Sequence, residues 1–177
     1  MYLELLFENR SKTRNHLTTH DYNKCVDLWS DDVYRFAYHC HGDVRDCEDA
    51  VQEAYAALWK NRDDVRFEKA KSYLLSVAYR QIMKMIRNKM TATRNQQQIT
   101  SSDTAYSPAD NSDLKEVLTL AMGNLPEIQR AILQLRDIDG YSYKDIAEIL
   151  KISDKQVQVY LYRARLNLRK QLNDNKF

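Results

Sequence analysis

Glycine and proline are the scarcest punctuation in this chain: 3 and 2 residues among 177. A many-stranded sandwich or barrel turns its chain too often to be built with so few turn-formers. Gly42, Gly123 and Gly140 also stand too far apart to form a glycine-rich phosphate loop. What fits is an all-α fold, helices joined by short links. A hydrophobic fraction of 44% and a charged fraction of 29% are ordinary for a globular chain. No apolar run approaches the roughly 20 residues needed to cross a bilayer, so no membrane insertion is expected. The opening MYLELLFENR has a short apolar stretch broken by Glu4 and lacks a basic leader, unlike a signal peptide. Cys25, Cys40 and Cys47 are odd in number and follow no disulfide-framework spacing, which points to a reducing, cytoplasmic location.

The net charge of +2 hides an alternation. Residues 21–64 hold 5 basic and 11 acidic side chains, and 65–90 hold 7 and 1. Residues 113–150 then hold 4 and 7, and 151–177 hold 7 and 2. Two basic segments suggest two contacts with a polyanion, leaving acidic faces for protein partners, although solvated helix faces give the same pattern.

Apolar positions Tyr22, Val26, Trp29, Val33, Phe36, Ala37 and Cys40 step by three and four, which predicts an amphipathic helix ending at Gly42. A second helix is expected from near Asp46, through Ala50, Ala54 and Leu58, and a third from about Lys71 to Met90. Thr91–Ser112 is rich in Thr, Ser, Gln, Asn and Asp and reads as a flexible linker. A second helical unit follows from Asp113, with Pro126 expected in the first turn of a helix. The expected division is thus an extension (1–19), a three-helix unit (20–90), a linker (91–112) and a second helical unit (113–177).

The sharpest motif is SYKDIAEILKISDKQVQVYLYRAR, residues 142–165. Ser142 with Asp145, and Ser153 with Gln156, have capping-box spacing on either side of a tight turn at Lys151-Ile152. Two short capped helices meeting at such a turn make a helix-turn-helix, although an ordinary helical hairpin shares the caps. Its second helix would enter a major groove, offering Ser153, Asp154, Lys155, Gln158, Val159 and Tyr162 near its N-terminus. Arg163, Arg165, Arg169 and Lys170 suit phosphates. His39-Cys40-His41 with Cys47 lacks four convergent ligands on a helix, so no metal and no cofactor is expected.

NLPEIQRAILQLRDIDGYSYKDIAEILKISDKQVQVYLYRARLNLRKQL resembles the C-terminal region 4 of a bacterial extracytoplasmic-function (ECF) sigma factor. DCEDAVQEAYAALWK and SYLLSVAYRQIMKMIRNK are similar to the region 2 segments of the same family, so the resemblance spans about residues 20–172. It implies a non-catalytic protein that binds core RNA polymerase and recognises promoter DNA, with an anti-sigma factor as a further partner. Region 2 (20–90) is implied to dock on the polymerase through Asp49, Gln52, Glu53 and Trp59, the first three of which share a helix face. Opening and reading of the −10 element falls to Arg66, Phe67, Lys69 and Lys71, cations for the backbone and an aromatic for stacking. Arg80, Lys84 and Arg87 run along phosphates; the family often has asparagine at the first position and an acid at the second. Region 4 (113–177) is implied to read the −35 element with Ser153, Asp154, Lys155, Gln158, Val159, Tyr162, Arg163 and Arg165. Gln158 and Tyr160 stand where the family is commonly basic; glutamine can read adenine, and Tyr160 can equally pack on the preceding helix.

Two other classes fit parts of the pattern. A helix-turn-helix regulator that never joins polymerase would not need the D-x-x-Q-E strip or the basic helix after it. A helical nuclease could use Asp46, Asp49 and Glu53 on a metal, but no histidine is paired with them.

Overall fold

The computed structural model describes residues 16–95, residue 118 and residues 120–174. Most of the expected extension and most of the expected linker lie outside the described residues; residues 17–19, expected in the extension, belong to the first unit, with Leu17 buried and Thr18 capping its first helix.

Helix α1 is Thr19–His41, α2 is Val44–Lys60 and α3 is Phe67–Asn95. Each begins on a local signal. Thr18 caps α1 in a reciprocal box: the Asp21 N–H donates to Thr18 Oγ1 (3.1 Å), and the Thr18 N–H donates to Asp21 Oδ2 (3.0 Å). Gly42, at φ 85°, ends α1 with its N–H on the Tyr38 carbonyl, a left-handed cap that a side chain would strain. Asp43 then caps α2, accepting from the Asp46 N–H at 3.1 Å. α2 therefore starts at Val44, earlier than the apolar pattern predicts, because the cap and not the first apolar residue fixes the start.

The three helices pack on one another pairwise around Cys25, Phe36, Cys40, Cys47, Leu58, Leu74 and Ile82, all essentially inaccessible. Tyr55 closes the base of this core, its hydroxyl donating to the Cys25 carbonyl (3.1 Å). Tyr22, Val26 and Trp29 are only half-buried at the rim. α3 is longer at both ends than expected. It begins at Phe67 and runs to Asn95, so residues 91–95 of the stretch expected as linker are helical.

Asp21, Asp32 and Asp43 all titrate below the ordinary carboxylate value. The causes are the Thr18 hydroxyl, the Lys71 ammonium and the Asp46 backbone N–H respectively. A carboxyl depressed by folding contributes stability that is whole above its unfolded value, near 3.8, and is lost as the pH falls through the folded value. Asp139, pushed up by desolvation, opposes this. With three against one, thermal melts should show stability falling steadily below about pH 4. A flat profile from pH 5 to pH 3 would contradict these caps.

The second unit opens on helical residues 120–123 and continues in α4, Glu127–Leu133. Pro126 sits one place before the first turn, at φ −53° and ψ 144°, as the N-cap and not in the position expected. Its fixed φ and missing N–H suit either place, and its extended ψ decides. α4 does not stop at Leu133. Residues Gln134–Ile138 form a π-helical turn, closed by the Asp139 N–H on the Gln134 carbonyl (2.9 Å). The largely buried Gln134 side-chain amide also donates to Asp139 Oδ1 (3.1 Å), fastening the wide turn. Gly140 (φ 76°) then reverses the chain.

α5, Tyr143–Leu150, and α6, Asp154–Asp174, are the two arms of the helix-turn-helix. Ser142 and Ser153 both cap as the spacing predicts. The Asp145 N–H reaches Ser142 Oγ (3.2 Å), and the Gln156 N–H reaches Ser153 Oγ (3.3 Å) with the reverse bond at 2.8 Å. Between them Lys151 adopts φ 56°, the left-handed turn that lets α6 cross α5. Ile146, Ala147 and Leu150 meet Val157, Leu161 and Ala164 in the core. Ser153→Ala should cost about 1 kcal/mol of second-unit stability through the lost cap; an unchanged denaturation midpoint would show the cap to be idle.

The two units touch. α1 packs against α4 and α3 against α5, and Lys69 Nζ meets Glu148 Oε2 at 3.0 Å.

Candidate nucleic-acid and docking surfaces

The acidic face of α2 follows from its register. Cys47, Ala50, Ala54 and Leu58 turn inward, so Asp49, Gln52, Glu53 and Ala56 are left outward and exposed. Trp59 lies seven residues beyond Gln52 on that face and is 39% exposed. It is braced on two sides. The Tyr22 ring meets it edge-on at 5.0 Å, and the Arg62 guanidinium lies 4.6 Å from its centroid. The four residues expected to dock thus share one surface. Arg62 was not singled out by the sequence, although its place three residues after Trp59 is the available signal.

The cationic residues expected on the −10 side fall into two sets. Arg80, Lys84 and Arg87 are exposed along one side of α3, with Arg80 Nε and Arg87 Nε donating to the carbonyls of Ser76 and Met83 one turn back. Arg66 is exposed too. The others are engaged. Lys71 Nζ is 2.6 Å from Asp32 Oδ2, and Lys69 is held by Glu148. Phe67 is half-buried against Trp29 (centroids 5.2 Å), with the Lys24 ammonium 5.1 Å from its ring. One face of α1 therefore belongs to this corner through Lys24, Trp29 and Asp32, which apolar periodicity alone could not reveal.

On α6, Ser153, Asp154, Lys155, Gln158, Val159, Tyr162 and Arg163 are exposed, Tyr162 at 70%. A shallow hollow runs between Lys155, Gln156, Val159, Tyr160 and Arg163. Tyr160 is half-buried against the core, the packing alternative raised by the sequence. Arg165 is drawn aside. Its Nη2 and Nε contact both oxygens of Asp137 at 2.6 and 3.1 Å, a two-pronged pair that keeps its charge partly neutralised.

Cys40 and Cys47 lie in the core with thiols pushed up by burial, Cys47 to about 12. His41 Nε2 is 2.6 Å from Asp46 Oδ2, which also meets Lys89. Among the described residues no three His, Cys, Asp or Glu side chains gather as an ion site, and no helix is long and apolar enough to cross a membrane.

Comparison with known proteins gives the same two-part division. The Sigma-70 region 2 family model matches residues 25–91, and the Sigma-70, region 4 model matches 115–168. The ECF RNA polymerase sigma factor SigM of Bacillus subtilis (strain 168) is 30% identical over 151 residues, which cover 80% of this chain and 89% of SigM. The chain belongs to the ECF sigma factor family. SigW of the same organism is 27% identical over 186 residues, covering 97% of this chain and all of that protein. The sigma factor RpoE of Bartonella quintana, solved with the anti-sigma factor NepR, shares the fold. Its TM-score is 0.76 at 21% identity, over 88% of this chain and 99% of that one. CnrH, solved with the cytosolic domain of CnrY, gives 0.61 at 19% identity, over 88% of this chain and 89% of that one. As an ECF sigma factor the protein binds RNA polymerase and directs promoter recognition in transcription initiation.

Proposed function

We propose a division of that labour among named residues. Asp49, Gln52, Glu53 and Trp59 dock the sigma factor on core polymerase. Arg66, Phe67, Lys69 and Lys71 engage the opened −10 strand. Arg80, Lys84 and Arg87 follow its phosphates, and the N-terminal half of α6 reads the −35 element. The observation that carries this reading is the separation of charge by helix: one outward acidic strip on α2, and outward cations along α3 and α6. A basic partner helix and a polyanion cannot both be served by one face.

The functional boundaries follow as 20–90 for polymerase and −10 work and 113–177 for the −35 element, with 91–112 between them. The protein has no catalytic centre of its own and works in the cytoplasm, where bacterial polymerase is. RpoE was solved with the anti-sigma factor NepR, and CnrH with the cytosolic domain of CnrY. An anti-sigma protein is proposed for this chain on that footing.

Run-off transcription with core polymerase on a genomic DNA pool tests the residue roles. Gln158→Ala should relax preference at one −35 position, with a loss of about 1–3 kcal/mol of discrimination there. Lys84→Ala with Arg87→Ala should weaken all promoters alike and flatten the dependence on salt. Uniform loss from Gln158→Ala, or promoter-specific loss from the double variant, would refute the assignment. DNA binding with neither polymerase association nor protein-dependent starts would favour a regulator acting alone.

A further inference from the structure

Arg165 stands on the DNA side of α6 but is turned away from DNA. It follows Gln158 by seven residues, two helical turns, and so shares a face with Gln158 and Tyr162. Its guanidinium nevertheless reaches across to the π-helical turn, where Nε and Nη2 take both oxygens of Asp137 at 3.1 and 2.6 Å. Arg136, just before Asp137, is turned inward as well. Its Nη1 donates to the Tyr141 carbonyl (2.8 Å), and its guanidinium lies 4.7 Å from the centroid of the Tyr143 ring. Lys155 and Arg163 differ: both are exposed, and neither makes an ion pair among the described residues.

We propose that Asp137 is a positioning residue for promoter recognition, holding Arg165 off the phosphate backbone so that α6 meets DNA with one cation fewer than its sequence carries. The inference rests on the reading of α6 as the helix that reads the −35 element. A freed guanidinium would find a phosphate on any DNA, and each such contact raises affinity without regard to sequence. Phosphate contacts position a protein, and base contacts specify the site. With Arg165 withheld, a larger share of the affinity is left to Gln158 and its neighbours. The geometry suits the task. A two-pronged pair fixes the plane of the guanidinium, which a lysine at 165 could not match. Exchange for a phosphate also gains little, because it would strand the Asp137 carboxylate beside the same polyanion. As a unit the pair is neutral, so its two halves have opposite effects on DNA binding and their joint loss has almost none.

The test titrates the full chain into a dye-labelled duplex of random sequence over a series of salt concentrations. Asp137→Asn keeps the side chain's size and removes its charge. It should bind about threefold tighter or more at low salt, and steepen the logarithmic salt dependence by about 0.9, the equivalent of one phosphate contact. Arg165→Gln should bind more weakly than wild type, since Asp137 then faces the backbone alone. The double variant should return to wild-type affinity and slope, a recovery that mere loosening of the fold would not produce. A wild-type slope in Asp137→Asn, or a slope in the double variant that stays about 0.9 flatter than wild type, would mean that Arg165 already holds a phosphate, and would overturn the proposal. Failure of the −35 reading is separable through Arg163→Ala. That change should flatten the slope whatever Asp137 does; an unchanged slope would show that α6 does not face DNA, and the proposal would fall with that reading.

Discussion

Alanine at both Gln52 and Glu53 is expected to lower the affinity for core polymerase by at least about 30-fold, the loss of two central contacts of an interface. The two side chains are adjacent on α2 and fully outward, and they lie between Asp49 and Trp59 on one face. A hydrogen-bonding, acidic strip of that kind suits a basic partner helix, where truncation leaves partner cations without their counter-charge. On the proposed docking surface Trp59 would add the apolar anchor. Its ring is pinned by Tyr22 and Arg62 before any partner arrives, so little rotamer freedom is lost on docking. Neither Gln52 nor Glu53 touches the core, so thermal unfolding should shift by no more than about 0.5 kcal/mol. Binding to labelled core polymerase, with a melt of the same sample, separates the two effects. Wild-type affinity in the double variant would move the docking surface away from α2.

Phe36→Ala should be the most damaging single truncation for the fold. The ring is 1% exposed, lies between α1 and α3, and meets Tyr79 at a centroid distance of 6.4 Å and a tilt of 47°. Removing a buried phenylalanine costs about 3–5 kcal/mol, from lost transfer free energy and the cavity left behind. That is a large part of the roughly 5–15 kcal/mol that holds a domain of this size together. Leu28→Ala is the matched control, because Leu28 is 54% exposed and should cost less than about 0.5 kcal/mol. Urea unfolding followed by helical signal reads both. Equal midpoints for the two variants would mean that the core is not organised around α1 and α3 as described.

The caps around the helix-turn-helix were legible because Ser142-x-x-Asp145 and Ser153-x-x-Gln156 are complete within four residues. Thr18-x-x-Asp21 has the same form. It went unread where α1 was placed by its apolar stripe, which begins only at Tyr22. Asp43 was missed for the same reason, since a cap precedes the pattern it starts. The exposed residues of α2 and α6 came out correctly because helical periodicity fixes the outward face once the inward one is known. What stayed hidden depends on side chains that meet across distance. Lys69 looked free for DNA until Glu148 was placed beside it, and Arg165 until Asp137 was. Phe67, read as a stacking ring, is shared with Trp29 and Lys24 of another helix. No local spacing encodes such partnerships.

The π-turn at Gln134–Ile138 has a bearing on the recognition helix that follows it. A wide turn carries one residue more than an ordinary α-helical turn, and each residue of an α-helix advances the chain by about 100° of azimuth. The chain therefore leaves α4 on a different heading from the one an unbroken α-helix would give it. Gly140 and the Ser142 cap launch α5 from that heading, and Lys151 hands it on to α6. The bearing of the DNA-reading helix is thus set some fifteen residues upstream of it, by a surplus residue and the Gln134–Asp139 fastening that keeps it in place.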